Sequence, residues 1–600
     1  MILSESSAPA GVDKPLQRRV IALLVFLAIA AATFCVPLLV PMPAYYLNLL
    51  MQASTYAIAV FGLTVVLGYC GQINLAQAAF FGLGAYGVGL GTATFGLPFW
   101  LALASGVSLA AVAGAALGLT SLRLGGHYLA MVTISFQTIT TLVMTNWISL
   151  TRGPDGVTGI SRPTILGHTF SDSSEYLALC VVALYVVGFA VWWLKKTRLG
   201  RAMQAVRDNE LAAGVTGVNA YATKVKAFTL SAILGGFGGG LFAGGFAYIS
   251  PDQFSFSESV VFLTMALLGG VGSPFGTALG TGLLILLPEW LRFLKVVYLA
   301  VYGAAVILVM VFMPDGIWGF VSNYWRRLRP APPFRVGVVP PLVLTTRMGN
   351  EDGSLILMLR GLSRHFGGLK AVDAVDLEIK RNTVHALIGP NGSGKTTLLN
   401  VLNGLYAATQ GEIEFDGKRI EQLKPHARAA LGMGRTFQNV RLFGGLTVLD
   451  NVVVGAERPN NEVPEGRDGL SGLAIAALGF VGVPQHAGQR VQSLSYGHQR
   501  LVEIARALAG NPMLLLLDEP GAGLNHPEKQ ELVGLLKRLK GHGLTIFIID
   551  HDMNLVEQVA DHITVLNFGR RIADGAPAEV LRNPDVIAAY LGGQQAHAAA

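Results

Sequence analysis

A series of long apolar runs in the first half of this 600-residue chain constrains its fold more than any other feature. Nearly all of the low-charge sequence lies before about residue 320, and charged residues make up only 14% of the whole chain. Soluble domains contain roughly 25%. In a bilayer every backbone polar group must find a partner within the protein, and a helix provides these partners inside its own segment. The first half is therefore predicted to form an all-α polytopic membrane domain.

The apolar runs have the length that crosses a bilayer, about 20 residues, and they predict about ten spans. Lys and Arg are enriched on the cytoplasmic side, so the basic segments between runs fix the orientation. These segments are residues 18–19, 123, 195–207 and 326–329. All of these basic segments lie on the cytoplasmic side only if the long run 256–291 crosses the membrane twice, with a break at 269–274. The remaining predicted spans are 20–40, 45–68, 74–95, 98–122, 127–149, 176–194, 226–248 and 296–313.

Two polar features interrupt the membrane half. Gln72, Asn74 and Gln77 lie inside an apolar stretch, where they either line a transport pathway or form hydrogen bonds between helices. Residues 200–217 are amphipathic, with small and apolar side chains among the charges. This pattern favours a helix docked on another protein surface over a solvated loop. We interpret the segment as the mechanical contact between the membrane domain and the second half.

The second half has the composition of a soluble domain. It follows a proline-rich stretch, which predicts a linker that is semi-extended where prolines cluster. The predicted divisions are a cytoplasmic N-terminal tail at 1–19, the membrane domain at 20–327, the linker at 328–354, the soluble domain at 355–591 and a disordered tail at 592–600. The N-terminal segment is expected to be retained, because it lacks a small-residue cleavage pattern and further spans follow.

Charge and cysteine content argue against two other classes of protein. The formal net charge is +7, but Lys and Arg cluster at the ends of apolar runs and form no basic face with interleaved aromatic residues. No nucleic-acid partner is therefore expected. The three cysteines lie in apolar runs without metal-ligand spacing, which indicates small buried hydrophobic residues and no disulfide framework.

A glycine-rich segment at 389–397 carries the strongest chemical signal in the second half. It follows the apolar run 384–388 and precedes an apolar helical pattern, so it is predicted to be a phosphate-binding loop between a strand and a helix. Backbone N–H groups in such a loop surround phosphate oxygens, Lys395 reaches the β- and γ-phosphates, and the Thr396 hydroxyl binds Mg²⁺. The residues predicted here to bind a nucleoside triphosphate are Gly389, Asn391, Gly392, Ser393, Gly394, Lys395, Thr396 and Thr397.

Further motifs follow the loop in a fixed order. An apolar strand ends in two carboxylates, of which Asp518 suits the Mg²⁺ shell and Glu519 suits the polarisation of the attacking water. Gln438 precedes the segment 494–500, and His551 follows a second apolar strand. Each of these residues alone is weak evidence, but their order is specific.

In this ordered set of motifs, the second half resembles the ATPase domain of ABC transporters over its whole length. The resemblance implies an α/β fold and a site completed by a second ATPase domain, since Ser495 and Gly497 would contact the γ-phosphate of ATP on that domain. It also implies that Gln438 senses Mg²⁺ and the membrane domain and that His551 contacts the γ-phosphate. Phe366 occupies the position of an aromatic ring that stacks on adenine.

Both halves resemble one subfamily, the importers of branched-chain amino acids. In the second half, Tyr496, His498 and Asn525 depart from the commonest ABC motifs in a way that the ATPase subunits of these importers often share. The membrane half is similar to their permease subunits at residues 67–86, 200–217 and 268–276.

The resemblance implies a permease fused to an ATPase that imports branched-chain or similar hydrophobic amino acids across the bacterial inner membrane, with the ATPase domain in the cytoplasm. The implied partners are a second permease subunit, a second ATPase subunit, a periplasmic substrate-binding protein and membrane lipid. Urea or short amides remain alternative substrates. A homodimeric ABC exporter is a further alternative, although such exporters have about six spans with long cytoplasmic extensions.

Overall fold

The computed structural model describes residues 33, 35, 41–121, 127–291, 298–328, 339–343, 353–458 and 467–597. Contacts between residues divide the chain into two compact units. The helical unit consists of Met1–Lys196 and Lys224–Pro330, and the α/β unit consists of Thr197–Thr223 and Ala331–Ala600. The short segment 197–223 therefore belongs by its contacts to the second unit, although in the sequence it lies between the two ranges of the first unit.

Helices dominate the first 328 residues. The described helices are α1 (Ala44–Leu63), α2 (Gln77–Ala93), α3 (Phe99–Ser121), α4 (His127–Asn146), α5 (Ile148–Thr151), α6 (Ser173–Leu194), α7 (Arg198–Asp208), α8 (Glu210–Val215), α9 (Ala220–Phe246), α10 (Phe256–Gly269), α11 (Pro274–Trp290), α12 (Tyr298–Phe312) and α13 (Gly316–Leu328). Two short antiparallel pairs join β1 (Val157–Thr158) to β4 (Tyr248–Ile249) and β2 (Thr164–Ile165) to β3 (His168–Thr169).

Several of these helices are long and apolar enough to cross a membrane, as the sequence predicted. Within the described residues, five satisfy both criteria, and a pair bent by 45° would make a sixth. They are Ala44–Tyr69, Phe99–Thr120, Tyr128–Asn146, Ser173–Leu194 and Ala220–Phe246, with Val306–Phe312 and Gly316–Trp325 as the bent pair. The predicted break in the run 256–291 is confirmed, since α10 ends at Gly269 and α11 begins at Pro274. The predicted span 20–40 lies almost wholly outside the described residues, and the count of ten stays a prediction.

A break in the helical path precedes α2, where the predicted span 74–95 begins late. The chain leaves a π-helical turn at Tyr69, and Asn74 then binds the Ala76 N–H with its side-chain oxygen at 2.9 Å. The α2 N-terminus is completed by other helices: the Ser259 hydroxyl accepts from the Ala78 N–H at 2.9 Å, and the Gln137 side-chain oxygen Oε1 accepts from the Ala79 N–H at 2.7 Å. These bonds satisfy N–H groups that α2 cannot satisfy itself.

Asn74 and Gln77 are almost completely buried at this break. The Gln77 amide donates to the Ala59 carbonyl at 2.7 Å and accepts from the Ser231 hydroxyl at 2.9 Å, while Asn74 donates to Gln77 at 3.0 Å. Of the two interpretations left open by the sequence, these contacts favour hydrogen bonding between helices for Asn74 and Gln77.

Glycine allows α2 and α9 to approach each other closely. A methyl group on Gly84 would come within 1.9 Å of the Gly236 carbonyl oxygen, and one on Gly239 within 1.8 Å of the Phe81 carbonyl oxygen. No side chain fits at either position. Close packing of the two helix backbones therefore explains both glycines.

Two sheets form the frame of the α/β unit, as expected for its fold class. The strands are β5 (Leu355–Phe366), β6 (Leu369–Lys380), β7 (Val384–Ile388), β8 (Gln410–Phe415), β9 (Lys418–Arg419), β10 (Met433–Arg435), β11 (Leu514–Asp518), β12 (Thr545–Ile549), β13 (His562–Asn567) and β14 (Arg570–Gly575). A six-stranded sheet has the order β10-β11-β12-β7-β13-β14 and is parallel except for β14. An antiparallel sheet has the order β6-β5-β8-β9. The buried strands β7, β11 and β12 end at one edge of the parallel sheet, which is where ligands bind in such folds.

Helices cover the faces of these sheets. They are α14 (Lys395–Leu402), α15 (Pro425–Ala430), α16 (Val448–Ala456), α17 (Arg467–Phe480), α18 (Tyr496–Ala509), α19 (His526–Gly541), α20 (Met553–Val559), α21 (Pro577–Val580) and α22 (Pro584–His597). The structure describes α22 as far as His597, and the expected disorder of the tail at 592–600 stays a prediction.

Part of the predicted linker packs on the α/β unit. Leu342 is 8% exposed and belongs to its hydrophobic core, and Val339 lies against Gly479 of α17. The proline content indicated an extended backbone but gave no sign of this packing. The flanking residues 329–338 and 344–352 lie outside the described residues.

Candidate functional site

The glycine-rich segment joins β7 to α14, as its sequence predicted. Gly389, Gly392 and Gly394 have positive φ angles of 150°, 80° and 101°. A methyl group on Gly389 would come within 2.1 Å of the Leu566 carbonyl oxygen, and one on Gly394 within 2.2 Å of the Ala371 carbonyl oxygen. Both conformation and space therefore require glycine here. Asn391 and Thr396 are exposed, Thr397 is half-buried, and Ser393 is buried.

Lys395 begins α14 and folds its side chain back into this loop. Its ammonium group donates to the carbonyl oxygens of Gly389 at 2.8 Å and Pro390 at 2.9 Å. Burial lowers the pKa of Lys395, and the Glu519 and Asp518 carboxylates oppose this shift. A positive charge is thus held between the loop and the two carboxylates, where it suits phosphate oxygens.

Asp518 ends β11 and Glu519 follows it at the same edge of the sheet. One oxygen of Asp518 accepts from Arg435 at 3.3 Å, while the other is buried without a hydrogen-bond partner. Burial raises the pKa of Asp518, and Arg435 acts in the opposite direction. A buried carboxylate oxygen with a free lone pair is a ligand type that Mg²⁺ prefers, so the residues present fit this ion.

Gln438 and His551, which lie on separate loops, both contact the carboxylate of Glu519. Gln438 donates to Glu519 Oε2 at 2.9 Å, and His551 Nδ1 lies 3.5 Å from the same oxygen. Glu519 itself has φ of 44°, a strained value for a residue with a side chain, and its N–H donates to the Ile549 carbonyl at 2.7 Å. The structure therefore brings together the three residues that the sequence predicted as catalytic.

Asp550 fixes the backbone beside His551. Its carboxylate accepts from the N–H groups of His551 at 2.8 Å, Asp552 at 2.9 Å and Gly521 at 3.3 Å. These bonds join the loop after β12 to the loop after β11. The imidazole of His551 remains 62% exposed and is available to a ligand.

The other predicted nucleotide contacts lie on different elements. Ser495 caps α18, where its hydroxyl accepts from the His498 N–H at 3.4 Å, and Gly497 lies against Glu528 at the start of α19. Phe366 is exposed at the end of β5, with the Arg364 guanidinium 4.4 Å from its ring centroid. The Phe366 ring is thus presented on the surface, as stacking on a base requires.

A buried ion cluster on α18 was missed by the sequence reasoning. Glu503 is fully buried between Arg500 at 3.0 Å and Arg506 at 3.6 Å, and both arginines are buried as well. Arg500 also donates to the Gln438 carbonyl at 2.6 Å. Arg506 donates to the Arg441 carbonyl at 2.7 Å, and Glu503 accepts from the Arg441 N–H at 3.1 Å. The cluster therefore holds residues 438–441, the loop that carries Gln438.

The amphipathic segment 200–217 packs on the α/β unit, as expected for a helix docked on a protein surface, while its role as a mechanical contact with the membrane domain stays a prediction. It forms two helices, α7 and α8, because Asn209 interrupts the first and caps the second. Arg201 forms a buried ion pair with Glu457, and Asp208 accepts from the Gly445 N–H at 2.6 Å. Burial raises the pKa of Glu457, and Arg201 counteracts this shift.

Family comparisons cover both halves of the chain. A model described as "Branched-chain amino acid transport system / permease component" matches residues 45–313. A model described as "ABC transporter" matches residues 372–522, and one described as "Branched-chain amino acid ATP-binding cassette transporter" matches residues 570–596.

Individual relatives match one half each. The branched-chain amino acid transport ATP-binding protein BraF of Pseudomonas aeruginosa is 43% identical over 249 residues, which is 40% of this chain and 98% of BraF. The permease protein LivM of Escherichia coli is 35% identical over 285 residues, which is 44% of this chain and 67% of LivM. A crystallised ATP-binding cassette in its ADP conformation aligns at 32% identity, over 40% of this chain and 99% of that one, with a TM-score of 0.36.

We predict that Glu503→Ala strongly destabilises the α/β unit. The substitution leaves Arg500 and Arg506 buried without their counter-charge, which costs on the order of 3–5 kcal/mol. Thermal inactivation of ATP binding by the full chain in detergent would show a lower midpoint. Glu531→Ala, at an exposed position of α19, is the matched control. Equal midpoints for the two variants would contradict the role of the cluster.

Proposed function

The chain belongs to the branched-chain amino acid family of ABC transporters and joins a permease domain to an ATPase domain, and we propose that it drives the import of branched-chain or similar hydrophobic amino acids across the bacterial inner membrane. The helical unit matches permease relatives and the α/β unit matches ATP-binding relatives, so this chain joins in one polypeptide two components that occur separately in those relatives. The main structural support for the proposed ATP hydrolysis is that Gln438 and His551 both contact the carboxylate of Glu519.

Each residue of the site has a role that follows from its position. The loop 389–394 offers backbone N–H groups to phosphate oxygens, and Lys395 adds positive charge. Thr396 and the unpaired oxygen of Asp518 would hold Mg²⁺, which neutralises developing charge on the phosphate oxygens.

Glu519 orients water for in-line attack on the γ-phosphate in this proposal. Its Oε2 is already hydrogen-bonded to Gln438, so the position of the carboxylate depends on the loop that carries Gln438. His551 is exposed beside the same oxygen and would contact the γ-phosphate. Phe366 would stack on the adenine. The site thus links the reacting groups to a loop that is itself held by other parts of the unit.

The signature residues point to a second ATPase subunit. Ser495 and Gly497 lie at the start of α18 and pack near α19, and in this family's arrangement they serve ATP bound to the opposite ATPase domain. The proposed assembly therefore contains a second ATPase subunit, a second permease subunit and a periplasmic substrate-binding protein, and it cycles between open and ATP-closed states.

Two alternatives remain as competing functions. Urea or short amides would use the same assembly with a different binding protein. A homodimeric exporter is less favoured, because the longest described helix of the helical unit, α9, has 27 residues. At about 1.5 Å per residue this length crosses a bilayer but leaves no long cytoplasmic extension.

We predict that Glu519→Gln retains ATP binding but slows hydrolysis by about 100- to 10,000-fold, the usual contribution of a general base. Lys395→Ala should instead weaken ATP binding itself, because the phosphates lose a charged partner. Both effects can be separated by an ATP-binding titration and by steady-state hydrolysis in the assembled complex. Glu531→Gln on the exposed face of α19 serves as the control. Unchanged hydrolysis in Glu519→Gln would reject the proposed role.

Transport specificity provides the second test. We expect proteoliposomes with the complete assembly and its binding protein to accumulate labelled leucine when ATP is present, and to lose accumulation with Glu519→Gln. Uptake of urea without uptake of leucine would identify the alternative substrate class. ATP-driven expulsion of a hydrophobic compound by the purified chain alone, without a binding protein, would overturn the importer proposal.

A further inference from the structure

Three strands of the parallel sheet place two histidines and an aspartate on one face. His562 begins β13 and pairs in register with His385 on the neighbouring parallel strand β7. Thr564 lies two residues after His562 and pairs with Asp574 on the antiparallel strand β14. Residues two apart on a strand share a face, as do directly paired residues. The four side chains therefore converge although their positions in the sequence are far apart.

Distances within this group are short. His562 Nε2 lies 3.1 Å from Asp574 Oδ1, and His385 Nε2 lies 2.8 Å from the Thr564 hydroxyl, which donates in turn to Asp574. One ring nitrogen of each histidine and one carboxylate oxygen of Asp574 all lie within 4.8 Å of one another. Among the residues that the structure describes, no second group of three histidine, cysteine or acidic side chains meets this distance.

We propose that His385, His562 and Asp574 form a three-ligand site for a divalent transition-metal ion, with Zn²⁺ as the favoured ion. Zn²⁺ is bound by histidine nitrogen and carboxylate oxygen at about 2.0–2.2 Å, and three protein ligands leave a fourth position for water. Ligand atoms around such a tetrahedral ion lie roughly 3.4 Å apart, so a separation of up to 4.8 Å between ligand atoms has to shorten by up to about 1.4 Å.

The burial of the three residues allows this adjustment. His385 is 2% exposed and fixed in the sheet, while the side chains of His562 and Asp574 are 40% and 36% exposed and have room to move. Burial lowers the pKa of His385 to about 3, so its ring is neutral. A neutral imidazole and a carboxylate are the protonation states that bind metal. The Thr564 hydroxyl hydrogen-bonds with both His385 and Asp574, and so supports two of the three ligands as outer partners of metal ligands commonly do.

The site is separate from the ATP site. His385 lies near the start of β7, and the phosphate loop follows the other end of that strand. Gly389 lies four positions after His385 in the sequence, which corresponds to about 13 Å along an extended strand. A metal here would tie β14, which is the edge strand of the sheet, to β7 and β13 and so stabilise the strand that leads into the phosphate loop.

Zinc binding by the full chain tests the proposal. The chain, purified in detergent without a histidine tag, is stripped with a chelator and titrated with Zn²⁺ in competition with a chromophoric zinc chelator, with Mg²⁺ present and no nucleotide. We expect one tightly bound equivalent, with affinity at least about tenfold weaker in both His562→Gln and Asp574→Asn, since loss of even an outer hydrogen-bond partner of a metal ligand commonly costs 10- to 100-fold.

A surface histidine supplies the matched control. His542→Gln, at an exposed position after α19, should bind Zn²⁺ like the unmodified chain. ATP binding by all three variants checks that each is folded, and Asp574→Asn keeps the size of the side chain in case His562→Gln is misfolded. The proposal fails if the unmodified chain binds Zn²⁺ no more tightly than the Asp574→Asn variant does. In that case the three residues form a hydrogen-bonded cluster without metal.

Discussion

The buried carboxylate of Glu503 is the interaction on which the organisation of the ATPase unit depends. It is enclosed by Arg500 and Arg506, and all three side chains are almost inaccessible to water. Burial raises the pKa of Glu503, and both guanidinium groups act against that shift. Such a group is tolerated in the interior only if its partners stay in place, because an unpaired buried charge is severely destabilising. The loop that these arginines bind is therefore fixed relative to α18.

That loop connects two functional regions. At one end Gln438 binds Glu519, the proposed base, and at the other end Arg441 lies near Asn209 of the docked segment, with 3.5 Å between the guanidinium and the amide oxygen. Arg201 and Asp208 hold the same segment against Glu457 and Gly445. A displacement of the docked segment would thus be transmitted to the hydrolytic carboxylate through a loop that is anchored on α18. We regard this connection as the physical basis of the proposed coupling between hydrolysis and transport.

The sequence predicted the parts of the site that lie within short motifs. Lys395, Asp518 and Glu519 each lie at or beyond the carboxyl end of a buried strand. These ends meet at one edge of a parallel sheet, so the convergence of the three residues could be anticipated. Glu503 could not be placed in the same way, since charges spaced three residues apart on a helix usually indicate a solvated face. The packing of Leu342 on the ATPase unit and the convergence of His385 with His562 depend on tertiary contacts and strand register, which single-sequence periodicity does not contain. In the helical unit, the non-helical segment before α2 includes the hydrogen bond from the Ala76 N–H to the Asn74 side chain, which hydropathy does not report.

The coupling ratio of the assembled transporter tests the central claim most directly. The measurement is the amount of amino acid imported per ATP hydrolysed in proteoliposomes, compared between Arg201→Met and Lys537→Met, a control at an exposed position of α19. The account predicts that Arg201→Met lowers this ratio by about tenfold or more, because Glu457 loses its buried partner and the docked segment loses its anchor. The affinity for ATP should be unchanged. An equal ratio in the two variants would contradict the account.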